Sequence, residues 1–147
     1  MKTFFWFVVL LTFFAGNTIV YGQSNEAEAF NLRGISYHQA GEFDRAIVQF
    51  NQAIMLEPAW VAPYFNRGAA YIEKGDFNRA ITDMTQAIRL APDIPIFYAE
   101  RAFAYAQIGD FDRAIADLEL ASRLEPDNAN HRRGLEVMRQ RQQAQGR

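Results

Sequence analysis

Among the 147 residues, those equipped for proton transfer or metal ligation are two histidines, His38 and His131, and seventeen carboxylates. There is no cysteine, which excludes a thiolate nucleophile, a disulfide framework, an iron–sulfur cluster and a cysteine zinc site. Two histidines are too few to build a metal centre unaided, and the spacing brings neither of them an acid–base partner. A hydrogen-bonded or exposed imidazole is the better reading of both. Glu42, Asp44, Asp76, Asp110 and Asp112 fall at turns and helix starts, where capping explains a carboxylate better than a glycosidase pair does. The glycines stand singly and never form a phosphate loop, and no serine sits in a nucleophile elbow. No catalytic, cofactor-binding or metal-binding residue is expected.

What positions these side chains is a repeat. Pro58, Pro92 and Pro126 stand 34 residues apart, as do Gly41, Gly75 and Gly109, then Phe43, Phe77 and Phe111, and Tyr37, Tyr71 and Tyr105. The same period carries Arg33, Arg67 and Arg101; Arg45, Arg79 and Arg113; and the Ala46, Ile47, Ala53 and Leu56 columns. Within each copy, apolar residues at three-and-four spacing predict two helices, the first stopped by glycine and the second followed by proline. Helices are predicted near 26–39, 43–56, 60–73, 77–90, 94–107 and 111–124, with a seventh over about 128–143. Acceptors at Glu42, Asp76 and Asp110, with Asp44, Asn78 and Asp112, are expected at the starts of the second helices.

Gly34, Gly68 and Ala102 are expected to face Ala46, Ala80 and Ala114, small against small, with Phe43, Phe77 and Phe111 filling the space beside them. One hairpin buries too little surface to stand alone, so the copies share a continuous core and the last needs a polar cover. The seventh helix fits, with Leu135 and Met138 inward and Arg132, Arg133, Arg139 and Arg141 outward. Arg33, Arg67 and Arg101 are expected at the seams, paired with Asp83 or Asp117 on neighbouring second helices or spread as solvated stems.

The first 22 residues form a separate object. Lys2 precedes an uncharged apolar block from Thr3 to Ala15, then Gly16-Asn17-Thr18 and Val20-Tyr21-Gly22. This is the anatomy of a secretory signal peptide, with cleavage expected after Gly22 and Gln23 as the mature amino terminus. The rival reading keeps the block as a membrane anchor, although it is short of the roughly 20 residues a spanning helix needs. The domain then runs over 23–147, as repeats 27–60, 61–94 and 95–128 plus the final helix. Its body is acidic and its last stretch basic: residues 23–128 hold 9 basic and 16 acidic groups, residues 129–147 hold 5 and 1.

The period, the aromatic opening (Phe30, Tyr64, Tyr98), Gly or Ala at 34, 68 and 102, Tyr at 37, 71 and 105, Ala at 46, 80 and 114, and Pro at 58, 92 and 126 resemble the tetratricopeptide repeat over residues 27–128. Arg33, Arg67 and Arg101 depart from the leucine of many members. The resemblance implies an all-α, right-handed α-α superhelix of three helix-turn-helix repeats plus a capping helix. Its concave face, made by the first helix of each pair, would bind a peptide or partner segment. Carried onto this chain, that groove comprises Asn31, Ile35, His38, Phe65, Ala69, Ile72, Glu73, Phe103 and Gln107, with Glu28, Gln39, Ala62, Ile96, Ala99 and Ala106 beside them. Phe65, Ile72 and Phe103 are the expected anchors, and the alternative that some turn inward as core stays open. The family's carboxylate clamp uses Lys, Asn and Arg; here its places read Asn31, Ile35, Asn66, Ile96 and Glu100. Only Asn66 matches and Glu100 has the wrong charge, so no chaperone-tail clamp is expected.

The expected function is therefore a non-enzymatic, exported interaction module, periplasmic or secreted, whose partner is a protein or peptide segment of apolar or mixed character. No cofactor, nucleic acid or small-molecule substrate is expected, and membrane contact only through the leader or the basic tail. The alternative is a membrane-associated assembly or adaptor factor, held by an uncleaved leader or by that tail.

Overall fold

A computed structural model describes residues 25–145, so the leader, its cleavage site at Gly22 and Arg147 lie outside the described residues. Among the described residues seven helices follow one another: α1 (25–39), α2 (Phe43–Leu56), α3 (Val61–Glu73), α4 (Phe77–Leu90), α5 (Pro95–Gln107), α6 (Phe111–Leu124) and α7 (Ala129–Gln145). From α2 onward each helix packs on its sequence neighbours, and α3 also meets α5, which makes an all-α helical repeat solenoid.

One turn chemistry is used three times. Gly41, Gly75 and Gly109 take φ values of 75°, 76° and 81°, which only glycine adopts without strain. In each turn the glycine N–H donates to the carbonyl three residues back (His38, Ile72, Ala106), and the next N–H to a tyrosine carbonyl (Tyr37, Tyr71, Tyr105). The next helix starts at once. Asp76 and Asp110 accept from the backbone N–H of Arg79 and Arg113 at 3.2 and 3.1 Å, while their second oxygens hold the guanidinium groups of those arginines. The guanidinium carbons lie 4.5 and 4.4 Å from the centres of the Tyr71 and Tyr105 rings. Glu42 corrects the expectation for the first copy: its side chain caps no backbone N–H and bonds only the Arg45 side chain, since glutamate's extra methylene carries the carboxylate past the capping position.

The hydrogen bonds from Arg79 hold the Asp76 carboxyl below its usual range. A carboxylate so depressed adds stability above its unfolded pKa and loses it as pH falls through the folded value. Asp76→Ala is accordingly expected to cost about 1 kcal/mol at pH 7. In thermal melts the gap to the parent should close as the pH drops below the ordinary aspartate range.

The core is built from large residues set against small ones on the facing helix. A Cβ on Gly34 would come within 2.5 Å of the Phe50 ring, and one on Gly68 within 2.7 Å of Met84 Cε and 3.2 Å of Asp83 Cβ. The nearest partners of these glycines are thus Phe50 and Met84, not the alanines Ala46 and Ala80. Across the repeats the second-helix residue goes from Phe50 to the smaller Met84 and Leu118, and the first-helix residue from Gly34 and Gly68 to Ala102. Summed volume in each layer is held roughly level.

Two of the three seam arginines make the expected pairing, within their own hairpins. Arg67 donates from Nε and Nη2 to the Asp83 carboxylate at 2.8 and 2.6 Å, and from Nη1 to Asn51 Oδ1 at 2.6 Å. Arg101 repeats this with Asp117, at 2.8 Å twice, and with Thr85 Oγ1 at 3.0 Å. Each guanidinium therefore joins its own hairpin to the second helix of the hairpin before. Arg33 differs: its guanidinium sits 5.0 Å from the Phe30 ring centre, and the acid of its hairpin is replaced by Gln49, whose buried Oε1 has no hydrogen-bond partner. Nearby, Tyr64 and Tyr98 donate to the carbonyls of Pro58 and Pro92, tying each first helix to the preceding turn.

The last helix covers the end of the stack. Leu135 and Met138 pack against the Ala102, Tyr105, Ala114 and Leu118 cluster, while Arg132, Arg133, Arg139 and Arg141 are exposed. His131 is buried, with Asn128 Nδ2 3.4 Å from its Nε2.

Candidate functional site

The first helices α1, α3 and α5 turn a common face away from their hairpin partners. Four repeat columns on that face contain no buried residue: Glu28, Ala62 and Ile96; Leu32, Asn66 and Glu100; Ile35, Ala69 and Phe103; Gln39, Glu73 and Gln107. Successive columns are four, three and four residues apart, the spacing of one helix stripe. On α5 this stripe is open and greasy, with Ile96 42% and Phe103 46% exposed, and on α1 Leu32 is 56% exposed.

The expected groove residues divide between this stripe and the helix seams. Glu73, Phe103 and Gln107 are exposed, and Ala69 is half-buried. The Phe103 ring meets Phe77 edge-on at 6.3 Å. Ile35 and Ile72 are half-buried against one core cluster, and Phe65 packs on Phe97 with ring centres 5.3 Å apart. His38 lies edge-on to Phe43 at 5.4 Å, its Nε2 buried without a partner. Asn31 is buried and accepts a 3.0 Å bond from Asn66 Nδ2, which links α1 to α3 across the groove floor.

Charge on this face has one sign. The basic residues of α3 and α5 are committed to the seams: Arg67 to Asp83, Arg101 to Asp117. Lys74, just past α3, pairs with Asp44. Glu73 and Glu100 enter no ion pair among the described residues. Burial pushes the Glu100 carboxyl up, and the Glu73 charge raises it further. Glu73 also occupies the last position of α3, where the helix dipole is negative and disfavours an anion. Neither carboxylate is placed to stabilise the fold.

Sequence reasoning named Glu100 only as a mismatch to a clamp and passed over Leu32. A signal was there: the positions three and four away from Glu100 are Ile96, Phe97, Phe103 and Ala104, which offer it no cation.

Comparison with known proteins accords with this geometry. The sequence profile of the tetratricopeptide repeat matches residues 69–143, and a second, described as TPR repeat, matches residues 34–75. The chain belongs to the tetratricopeptide repeat family. No curated protein sequence matches it. Among solved structures it is similar to the first TPR of Spaghetti (RPAP3) bound to the HSP90 peptide SRMEEVD, at 26% identity and a TM-score of 0.77, covering 80% of this chain and 93% of that one. It is also similar to the second TPR domain of human RPAP3 in complex with the HSP70 peptide SGPTIEEVD, at 27% identity and a TM-score of 0.74, covering 82% and 98%. The Arabidopsis OM64 TPR domain matches at 25% identity and a TM-score of 0.77, covering 80% and 98%. Among the described residues of this TPR chain, no group of His, Asp and Glu is arranged to hold a metal ion, and no helix is long and apolar enough to cross a membrane.

Proposed function

We propose that this tetratricopeptide repeat protein is an exported, non-enzymatic interaction module that holds a segment of a partner protein on the face of α1, α3 and α5. The observation that carries the reading is the open stripe of Ile96 and Phe103, large apolar side chains that the fold leaves uncovered. That two similar domains of the family are found with peptides bound supports it. The leader from Lys2 to Gly22 supports export, to the periplasm or the medium, and sequencing of the mature amino terminus at Gln23 tests that part directly.

The groove itself is tested by Phe103→Glu. The Phe65 ring packs on Phe97, so a charge there would damage the core; Phe103 is 46% exposed and its ring meets Phe77 only edge-on, so a charge there disturbs the core less, and circular dichroism checks that the variant is folded. Parent and Phe103→Glu protein are immobilised and used to capture partners from an envelope extract. Loss of the captured proteins from the variant is the expected result, with a weakening of at least about tenfold for a central aromatic anchor. Capture of the same proteins at the same level by both would assign binding to another face.

A further inference from the structure

We propose that the occupant of the groove is a basic-apolar segment of the partner, an arginine or lysine flanked by apolar residues, its cation set between Glu73 and Glu100 and its apolar side chains over Ile96 and Phe103. This rests on the groove reading above and adds the chemistry of the guest. Four observations converge on it.

The basic side chains of α3 and α5 are spent on seam carboxylates, while Glu73 and Glu100 face the groove without a counter-cation among the described residues. The two carboxylates lie on the open stripe of neighbouring first helices, α3 and α5, which touch each other, and the Glu73 charge adds to the burial that raises the Glu100 carboxyl. A bound cation relieves that repulsion and the desolvation of Glu100 together, which water on one side of the groove cannot do. Glu73 lies at the carboxyl end of α3, where the negative end of the helix dipole adds to the attraction for a cation. Apolar contacts adjoin the acidic pair, because Ile96 and Phe103 sit four residues before and three after Glu100 on the same stripe.

The same charges discriminate. The peptides SRMEEVD and SGPTIEEVD found on the similar domains both end in Glu-Glu-Val-Asp, with three carboxylate side chains in the last four residues. Such a tail would bring like charge against Glu73 and Glu100, and like-charge juxtaposition rejects a ligand more effectively than a missing contact does.

The test uses short synthetic peptides in a Gly/Ser frame, two leucines flanking a central arginine, glutamine or glutamate, titrated by fluorescence anisotropy. Against the parent protein the arginine peptide is expected to bind about tenfold tighter than the glutamine peptide, weaken as salt rises, and leave the glutamate peptide weakest. Glu73→Gln with Glu100→Gln, checked for native helicity by circular dichroism, is expected to erase the arginine preference while keeping the leucine-dependent binding. Phe103→Glu is expected to abolish leucine-dependent binding of the neutral peptide. Equal binding of the three peptides to the parent overturns the charge proposal and leaves the groove standing, whereas binding that ignores Phe103→Glu overturns both. A dimer of the protein alone, seen in sedimentation and dissolved by the double glutamine variant, would seat the basic last helix of a second copy in the groove and overturn a partner segment as the occupant.

Discussion

Arg67→Glu is expected to cost about 3–5 kcal/mol, because it leaves the Asp83 carboxylate, 2% exposed, facing a second carboxylate in place of a bidentate guanidinium. For a domain of this size that is a fall of about 10 °C or more in the melting midpoint. The same substitution at Arg33, one repeat earlier in the same column, is expected to change the midpoint by no more than about 2 °C, since Arg33 lies over Phe30 and its hairpin has Gln49 where the others have aspartate. The contrast isolates the ion pair from the general effect of charge on a helix. An unchanged midpoint for Arg67→Glu would mean that the clasp with Asp83 and Asn51 holds nothing. Equal losses at Arg33 and Arg67 would point to helix charge as the cause. Replacing Arg67 and Asp83 together by apolar residues of similar volume should recover much of the loss, because the larger part of the cost is the stranded buried charge.

Phe50→Ala is expected to be of similar size, about 3–5 kcal/mol, since the ring is fully buried and fills the layer beneath Gly34. Its particular signature is coupling. Gly34→Ala alone forces a Cβ to 2.5 Å from that ring, and it should destabilise despite the roughly 1 kcal/mol that alanine gains over glycine in a helix. In a Phe50→Leu background the same Gly34→Ala substitution should stabilise, because the pair then reproduces the Ala102 and Leu118 combination of the third repeat. Denaturant melts of the four proteins form a double-mutant cycle, and an interaction free energy near zero would show that Gly34 and Phe50 do not share the layer.

The helices and turns were legible because period and chemistry agree three times over. Glycine at 41, 75 and 109 permits the left-handed turn, proline at 58, 92 and 126 follows each second helix, and the predicted bounds lie within two residues of those observed. The family followed from the same columns. What the sequence left unread depends on how far one helix slides past another. The bond between Asn31 and Asn66 joins two first helices 35 positions apart, and no spacing within either helix announces it. The facing of Gly34 was misassigned for the same reason: small residues at 46 and 80 satisfy the pattern, but the offset between helices brings the Phe50 ring closer. Other departures were written in single columns. Gln49 stands where Asp83 and Asp117 follow, and Phe30 where Tyr64 and Tyr98 follow, so the first repeat lacks both the acid of the clasp and the hydroxyl that pins the turn. Averaging the copies hides these exceptions, and they are the ones that set Arg33 apart.

The uneven distribution of guanidinium clasps has a mechanical corollary. Arg67 and Arg101 rivet α2 to α6 into a block, whereas Arg33, among the described residues, only lies over the Phe30 ring of its own helix. The helix carrying Leu32 and Ile35 is therefore anchored by the Asn31–Asn66 bond and by Phe50 packed beneath Gly34 instead of a buried ionic joint, which leaves one wall of the trough held by neutral contacts and the opposite wall by ion pairs.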